Sequence, residues 1–301
     1  MIIKVDIDEF EDIRIDAYLA DYLEDYSRTK LSKLIKENKV LVNQKPIKPK
    51  YIVKENDIIE LDLKDLEIKP IEAQDIVLDI IYEDDHIAII NKPIGMLTHP
   101  TTVIRDNTLV NALMYHFKEL SMVNGEERAG VVHRLDFNTS GLMIIALSDD
   151  AGYKLKEMFS NRLVNKKYRA IVIGRLNNDE GIIETNISRS QRNRKLMEVS
   201  PIGKYAKTGY KVLKTNGAYS YLDLDLYTGR THQLRVHLSH IKHPILGDRD
   251  YGGMTKQFSI DHQLLQSYSL EFSHPITKER LSFQIEESSD IKKYNEIIFK
   301  E

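Results

Sequence analysis

From residue 167 onward the chain offers strand after strand. Candidate stretches at 167–175, 181–188, 205–214 and 219–227 are rich in β-branched and aromatic residues and follow one another with no helical pattern between them. Earlier, Ile80-Ile81-Tyr82 and Ile87-Ala88-Ile89-Ile90 flank the acidic turn Glu83-Asp84-Asp85, a hairpin signature. Val131–Leu135 and Gly141–Ile145 read as two further strands around a polar turn. Helical periodicity is confined to residues 108–120, 150–161 and Thr231–His240, where Leu234 and Leu238 share a side. Strands alternating with helices would imply a parallel βαβ sheet. Strands in series predict instead an α+β fold with a mixed, largely antiparallel sheet flanked by helices and loops.

The amino-terminal part follows another plan. Ile15, Leu19, Tyr22 and Leu23 recur at helical spacing over residues 14–26. Ser27 can cap a second helix reaching to about Asn38, whose Leu31, Leu34 and Ile35 form one stripe. Its Arg28, Lys30, Lys33, Lys36 and Lys39 lie elsewhere. Val40-Leu41-Val42, the turn Asn43-Gln44-Lys45-Pro46 and Ile58–Leu61 complete a helix-helix-strand-strand module too small for elaborate chemistry. The polar stretch around Lys69-Pro70 reads as a linker. The expected division is a module over 1–66, a linker over 67–79 and a larger domain over 80–301.

Bulk properties exclude several classes. The chain has no cysteine, which removes disulfides, thiolate metal sites and a cysteine nucleophile and fits a reducing compartment. The sequence MIIKVDIDEF carries acids where a signal peptide carries bases, and no apolar run matches a membrane span of about 20 residues. A cytoplasmic protein is expected, a monomer by default. Net charge is −3, yet it is unevenly spread. Residues 1–26 hold nine acids and two bases, residues 27–54 nine bases and one acid, and residues 153–214 fifteen bases and five acids. Such asymmetry suits a phosphate backbone, and equally a solvated lysine face.

Three clusters could carry chemistry. His133-Arg134-Leu135-Asp136-Phe137-Asn138-Thr139-Ser140-Gly141 lies between two apolar runs, so its loop is held from both sides. Either Asp136, Thr139 and Ser140 close a turn, or Asp136 is a held carboxylate that needs a cation. Gly229-Arg230-Thr231-His232-Gln233-Leu234-Arg235-Val236-His237 offers that cation in Arg235, whose planar fork matches a carboxylate. His232, His237, His240 and His243 invite a metal reading, but no carboxylate stands at zinc-motif spacing. Lys166-Lys167-Tyr168-Arg169-Ala170 opens a strand, and Arg189, Arg192, Arg194 and Lys195 make a basic loop. Neither a glycine-rich phosphate loop in strand–helix context nor Gly-x-Ser-x-Gly is present, so nucleotide cofactors are unsupported.

Taken together these residues resemble the RluA family of RNA pseudouridine synthases. The resemblance spans about residues 80–285, with its motifs in the family's order. His133-Arg134-Leu135-Asp136-x-x-Thr139-Ser140-Gly141-Leu142 looks like the signature loop whose Asp is essential. Lys166-x-Tyr168-x-Ala170 looks like the tyrosine motif, and Gly229–His237 continues through Pro244–Asp248 and Tyr251-Gly252 as the third motif. Asn91-Lys92-Pro93-x-Gly95 and the Lys204/Ala206/Thr208/Tyr210 pattern also fit. Residues 14–66 resemble the RNA-binding domain named after ribosomal protein S-four, through Arg14-x-Asp16, Ser27-Arg28, the apolar stripe and Val40-x-Val42-Asn43. Asn38 and Asn56 stand where that domain usually has glycine, a change the left-handed tolerance of asparagine absorbs. Leu265-Gln266-Ser267 replaces the usual Leu-His-Ala, so local packing there should differ.

The resemblance implies an isomerase that breaks the uracil N1–C1′ bond, turns the base and rejoins it through C5. Nothing is consumed, so it implies no cofactor and no metal. Asp136 would attack C1′ or remove the C2′ proton, and Arg235 would keep it ionised and aimed. Tyr168 would stack on the uracil and could help take the C5 proton. Arg134 would fill the gap left by the flipped base. His133, Thr139, Arg230 and Gln233 would contact substrate, and Arg28, Lys30, Lys33, Lys36 and Lys39 would hold RNA through phosphate. The implied partner is large-subunit ribosomal RNA or a pre-ribosomal particle. The alternatives are a non-catalytic RNA-binding or ribosome-assembly factor on the same fold, and a metal-dependent hydrolase built on the histidines.

Overall fold

The computed structural model describes residues 1–5, 13–23, 28–61, 70–101, 104–193 and 195–300, with the Lys30 side chain outside that set. Ser27, the end of the first expected helix, most of the expected linker before Pro70, and Arg194 fall outside the described residues. The chain divides into two compact units, Met1–Pro70 and Ile71–Glu301.

In the first unit, α1 (Ile15–Tyr22) and α2 (Arg28–Lys36) cover a four-stranded sheet. Its strands run in the order β1 (Ile2–Lys4), β4 (Ile58–Leu61), β2 (Val40–Val42), β3 (Lys45–Pro46). Ile15, Leu19, Leu31, Leu34 and Ile35 bury the facing helical stripes against Val40, Val42, Ile59 and Leu61. The sequence reading did not include β1, which is too short to show a period. Asn38 and Asn56 adopt φ values of 58° and 66°, the left-handed geometry expected of them. The expected turn also shortens. Asn43 and Gln44, both at positive φ, make a two-residue hairpin loop, and Lys45-Pro46 joins the sheet.

The second unit is built on a ten-stranded sheet of order β10-β9-β11-β12-β8-β13-β7-β6-β5, with β14 paired beside β13. The strands are β5 (Asp79–Glu83), β6 (Ile87–Lys92), β7 (Ser140–Ala146), β8 (Asn165–Ile173), β9 (Glu180–Arg189), β10 (Met197–Val199), β11 (Lys204–Thr215), β12 (Tyr219–Leu226), β13 (Leu265–Ser273) and β14 (Arg280–Gln284). Every pairing is antiparallel except β13 with β7, which run parallel at Gln266↔Ser140 and Ser267↔Gly141. The helices are α3 (Leu109–His116), α4 (Asp149–Ser160), α5 (Gln233–His240) and α6 (Ser289–Ile298). A Thr108–Asn111 capping box starts α3 and Ser148 caps α4. The core of the unit joins Ile90, Met143 and Ile145 on one half of the sheet to Tyr168, Leu222 and Leu224 on the other.

Two expectations are corrected. Val131–Leu135 is no strand; only Val131 bridges, to Ile145. Its backbone groups are taken by side chains, Val131 O by the Asn124 amide at 2.9 Å and Leu135 O by the Thr98 hydroxyl at 3.0 Å. Residues 71–79 are no linker. Ile71 and Leu78 are buried, and this segment lies along α3, with Gln74 N–H donating to Asn111 O and the His116 ring bonded to Ile76 O.

Candidate active site

Asp136 sits on a loop whose position is over-determined. Leu135 O accepts from Thr98, Thr139 N–H donates to Asp136 O at 3.0 Å, and the Thr139 hydroxyl accepts from Gln263 Nε2 at 3.1 Å. Phe137 O accepts from Gly95 N–H at 3.0 Å and from Lys92 Nζ at 3.4 Å. Lys92 is wholly buried, and its ammonium also donates to Pro93 O at 2.8 Å and Met96 O at 3.0 Å. Burial draws its pKa down to about 7, with the Asp136 charge opposing. The Asn91-Lys92-Pro93-x-Gly95 motif thus works at a distance, fastening the backbone just after the carboxylate. At the other end of the loop Gly141, at φ 117°, runs against Ser267, where a Cβ would lie 2.1 Å from the Ser267 carbonyl oxygen.

The Asp136 carboxylate lies in a cleft with Arg134, Tyr168, Arg230, His232 and Arg235 around it and Leu226 and Leu265 among its apolar walls. Tyr168 comes from β8, Arg235 from α5 and Asp136 from the loop before β7, so three distant segments meet here. Tyr168 is buried, and burial pushes its phenol well above the usual range, so it stays protonated at neutral pH.

Arg235 does reach Asp136, at 3.4 Å from Nη1 to Oδ2, but Asp136 is not its main partner. Its Nε and Nη2 fork onto the fully buried Asp248 at 2.7 and 2.8 Å, and Nη2 also meets Asp250 at 2.9 Å. Burial would weaken this cation, yet the carboxylates prevail and its pKa is raised. The sequence reading placed Asp248 in a motif without seeing that it absorbs the guanidinium fork.

His232 was not among the expected site residues. It adopts φ 55° immediately before α5, a left-handed turn unusual for histidine. Its Nε2 stands 4.0 Å from Asp136 Oδ2 and its Nδ1 2.8 Å from Tyr251 Oη. Met197 N–H donates to that same oxygen at 2.9 Å; where the phenol hydrogen goes to Nδ1, Nε2 is the nitrogen bearing hydrogen toward Asp136. Burial lowers the His232 pKa against the pull of Asp136, so the ring is neutral.

The remaining expected contacts divide. Arg134 is exposed and makes no hydrogen bond or ion pair among the described residues, so its guanidinium is available. Arg230 donates to Tyr205 O at 3.0 Å and borders the cleft. Gln233 is a correction. Its oxygen accepts from Thr228 Oγ1 and Arg230 N–H and its nitrogen donates to Lys207 O and Thr208 Oγ1, so no bond is left for substrate. Thr139 is buried and lines the cleft, and its hydroxyl accepts from Gln263. His133 faces the neighbouring cleft instead. Its Nε2 accepts from Ile144 N–H at 2.9 Å, its ring lies 4.6 Å from that of Phe159, and burial holds its pKa down to about 3.

The histidines disperse. His237 is buried between the hydroxyls of Thr185 and Thr208, each at 2.9 Å, and His243 bonds Ile173 O. Among the described residues no three acids or histidines gather closely enough to hold a metal ion.

On the first unit, Arg28 and Arg14 both bond the buried Asp16, at 3.1 Å and 2.9 Å. Lys33 and Lys39 each approach Glu37 at 3.7 Å, and Lys36 is exposed. The expected basic face is therefore partly neutralised from within.

This fold and site belong to a known class: the chain is a member of the RNA pseudouridine synthases. The pattern of the family described as RNA pseudouridylate synthase matches residues 86–240, and that of the S4 domain matches residues 13–59. An uncharacterized RNA pseudouridine synthase of Aquifex aeolicus is 40% identical over 296 residues, covering 94% of this chain and 93% of that protein. Ribosomal large subunit pseudouridine synthase D of Vibrio cholerae is 39% identical over 285 residues, covering 90% of this chain and 86% of that protein. Among solved structures, human RNA pseudouridylate synthase domain containing 1 superposes with a TM-score of 0.58 at 26% identity, over 70% of this chain and 83% of that one.

Proposed function

We propose that this isomerase acts on uridines of large-subunit ribosomal RNA, with Asp136 as its catalytic carboxylate and the target base turned out of its stack into the cleft. The observation that carries the reading is the meeting of Asp136, Tyr168, Arg134 and Arg235 from separate segments in one cleft. The relatives named for the ribosomal large subunit, matched over most of both chains, favour that RNA.

The chemistry distributes as follows. Asp136, at hydrogen-bonding distance from Arg235 and partly open to the cleft, is a carboxylate suited to reach C1′ or the C2′ hydrogen. Tyr168, kept as a neutral phenol, suits packing against the uracil better than taking its C5 proton. Arg134 offers a planar cation to replace the stacking lost when the base leaves. His232 presents an N–H beside the reacting carboxylate. The first unit supplies affinity for the phosphate backbone, which is largely blind to sequence and weakened by salt.

The test is tritium release from C5-labelled uridine in ribosomal RNA. Wild type should release label and Asp136→Asn should not, while binding the same RNA with unchanged affinity. Equal release by both would remove Asp136 from the mechanism, and release from transfer RNA alone would move the substrate.

A further inference from the structure

A second cleft adjoins the first, sharing Arg134, Tyr168, Leu226, Gly229 and Arg230 with it. Beyond the shared residues it is lined by His133, Phe159, Arg162, Lys166 and Tyr227, and no acid borders it. Lys166 opens β8, and its ammonium sits 5.2 Å from the centre of the Phe159 ring. Arg162 follows α4 at φ 60° and stacks at 5.9 Å from the Tyr205 ring. Among the described residues neither cation meets a carboxylate.

Their neighbours differ. A third cleft continues outward, sharing Arg162, Val164, Lys166, Leu226 and Tyr227 with the second. Its own lysines are neutralised, Lys167 by Asp225 at 3.2 Å and Lys207 by Glu184 at 2.8 Å. The protein therefore answers its outer lysines with its own acids and leaves the two inner cations, beside the catalytic cleft, without an anion. Lys166 is half-buried, where a cation without a counter-ion costs free energy in the unbound state and a ligand anion removes that cost, while Arg162 is exposed and adds its charge from the surface.

We propose that this second cleft seats an RNA phosphodiester neighbouring the target nucleotide, with Lys166 and Arg162 as its counter-charges. The proposal rests on the reading that the Asp136 cleft takes the target uridine, since the shared walls put the two positions side by side. Burial already brings the Lys166 pKa down to about 8, so the ammonium is charged at neutral pH and fades above it. RNA affinity should fade with it.

The experiment uses the full chain and a large-subunit ribosomal RNA transcript, measuring tritium release across salt and pH. For Lys166→Met or Arg162→Met, KM should rise about tenfold at moderate salt with kcat within about twofold of wild type. The slope of log KM against log salt should flatten by roughly one phosphate, about 0.7–0.9. Lys166→Arg should restore both and also abolish the rise of KM above pH 8 seen in wild type. Lys207→Met, whose charge is internally paired, should change neither. The proposal is overturned if Lys166→Met lowers kcat at constant KM, or behaves as Lys207→Met does. Should wild type release no tritium at all, the isomerisation of this RNA is what fails. Direct binding of the same transcript then decides the cleft, because an unaltered salt slope in Lys166→Met excludes the phosphate contact.

Discussion

Replacing Lys92 by methionine isolates the buried ammonium that fastens the Asp136 loop. Methionine nearly matches the lysine stem in volume, so packing changes little, but the carbonyl oxygens of Pro93 and Met96 lose their donor and that of Phe137 is left with Gly95 N–H alone. At about 1 kcal/mol for each orphaned acceptor, the variant should lose about 2 kcal/mol of stability at pH 7. The pH dependence gives a sharper test. The folded pKa is about 7 against 10.5 for a free lysine, so between these values the unfolded chain binds more protons and stability rises with pH. The stabilising contribution is fully present only above the unfolded value and is lost as pH falls through 7. Wild type and variant share every other titrating group, so their difference reports Lys92 alone. Urea unfolding should show that gap widening by about 2 kcal/mol from pH 7 to pH 9. A gap constant across that range would mean that the carbonyl cradle keeps the amine protonated and that burial does not govern it. Turnover should fall in the variant at either pH, because Phe137 O and hence Asp136 lose an anchor.

Three further outcomes are expected. Arg235→Lys cannot fork onto Asp248, so it should cost about 3 kcal/mol in urea unfolding and slow tritium release about a hundredfold by loosening the cleft; a variant with wild-type stability would refute the buried fork as a support. Gly141→Ala drives a Cβ into the Ser267 backbone and should yield protein with no cooperative unfolding transition or one weakened by more than about 4 kcal/mol. Asn38→Ala should destabilise the first unit by about 1 kcal/mol while Asn38→Gly should not, read from hydrogen exchange at the β2 amides; equal exchange in both would remove the left-handed strain argument.

Much of this architecture was legible in the sequence because its signals are local. Alternation marked β8, β9, β11 and β12 within two or three residues, and the helical spacing of Leu31, Leu34 and Ile35 marked the face that α2 buries. What escaped depended on partners far along the chain. Val131–Leu135 has a strand's composition, yet Asn124 and Thr98 take its carbonyls, and nothing within the segment shows that. Gln233 looks like an exposed polar group awaiting substrate until Thr208 and Thr228 are seen to occupy it. Arg235 reads from the sequence as a counter-ion for Asp136, but its fork goes to Asp248, 2.7 Å away against 3.4 Å, a preference that spacing does not encode. The left-handed turn at His232 left no signal either, since residues other than glycine and asparagine do not announce it.

The parallel meeting of β7 and β13 ties chemistry to chain length. Thr139, three residues after Asp136, is held by Gln263, and Gly141 packs on Ser267. A polypeptide leaving the ribosome therefore completes its amino-terminal RNA-binding unit, whose contacts are mostly local, long before the strand that fixes Asp136 has been made. Grip precedes activity during synthesis, and a chain truncated ahead of Gln263 would keep a module for holding RNA while lacking the means to alter it.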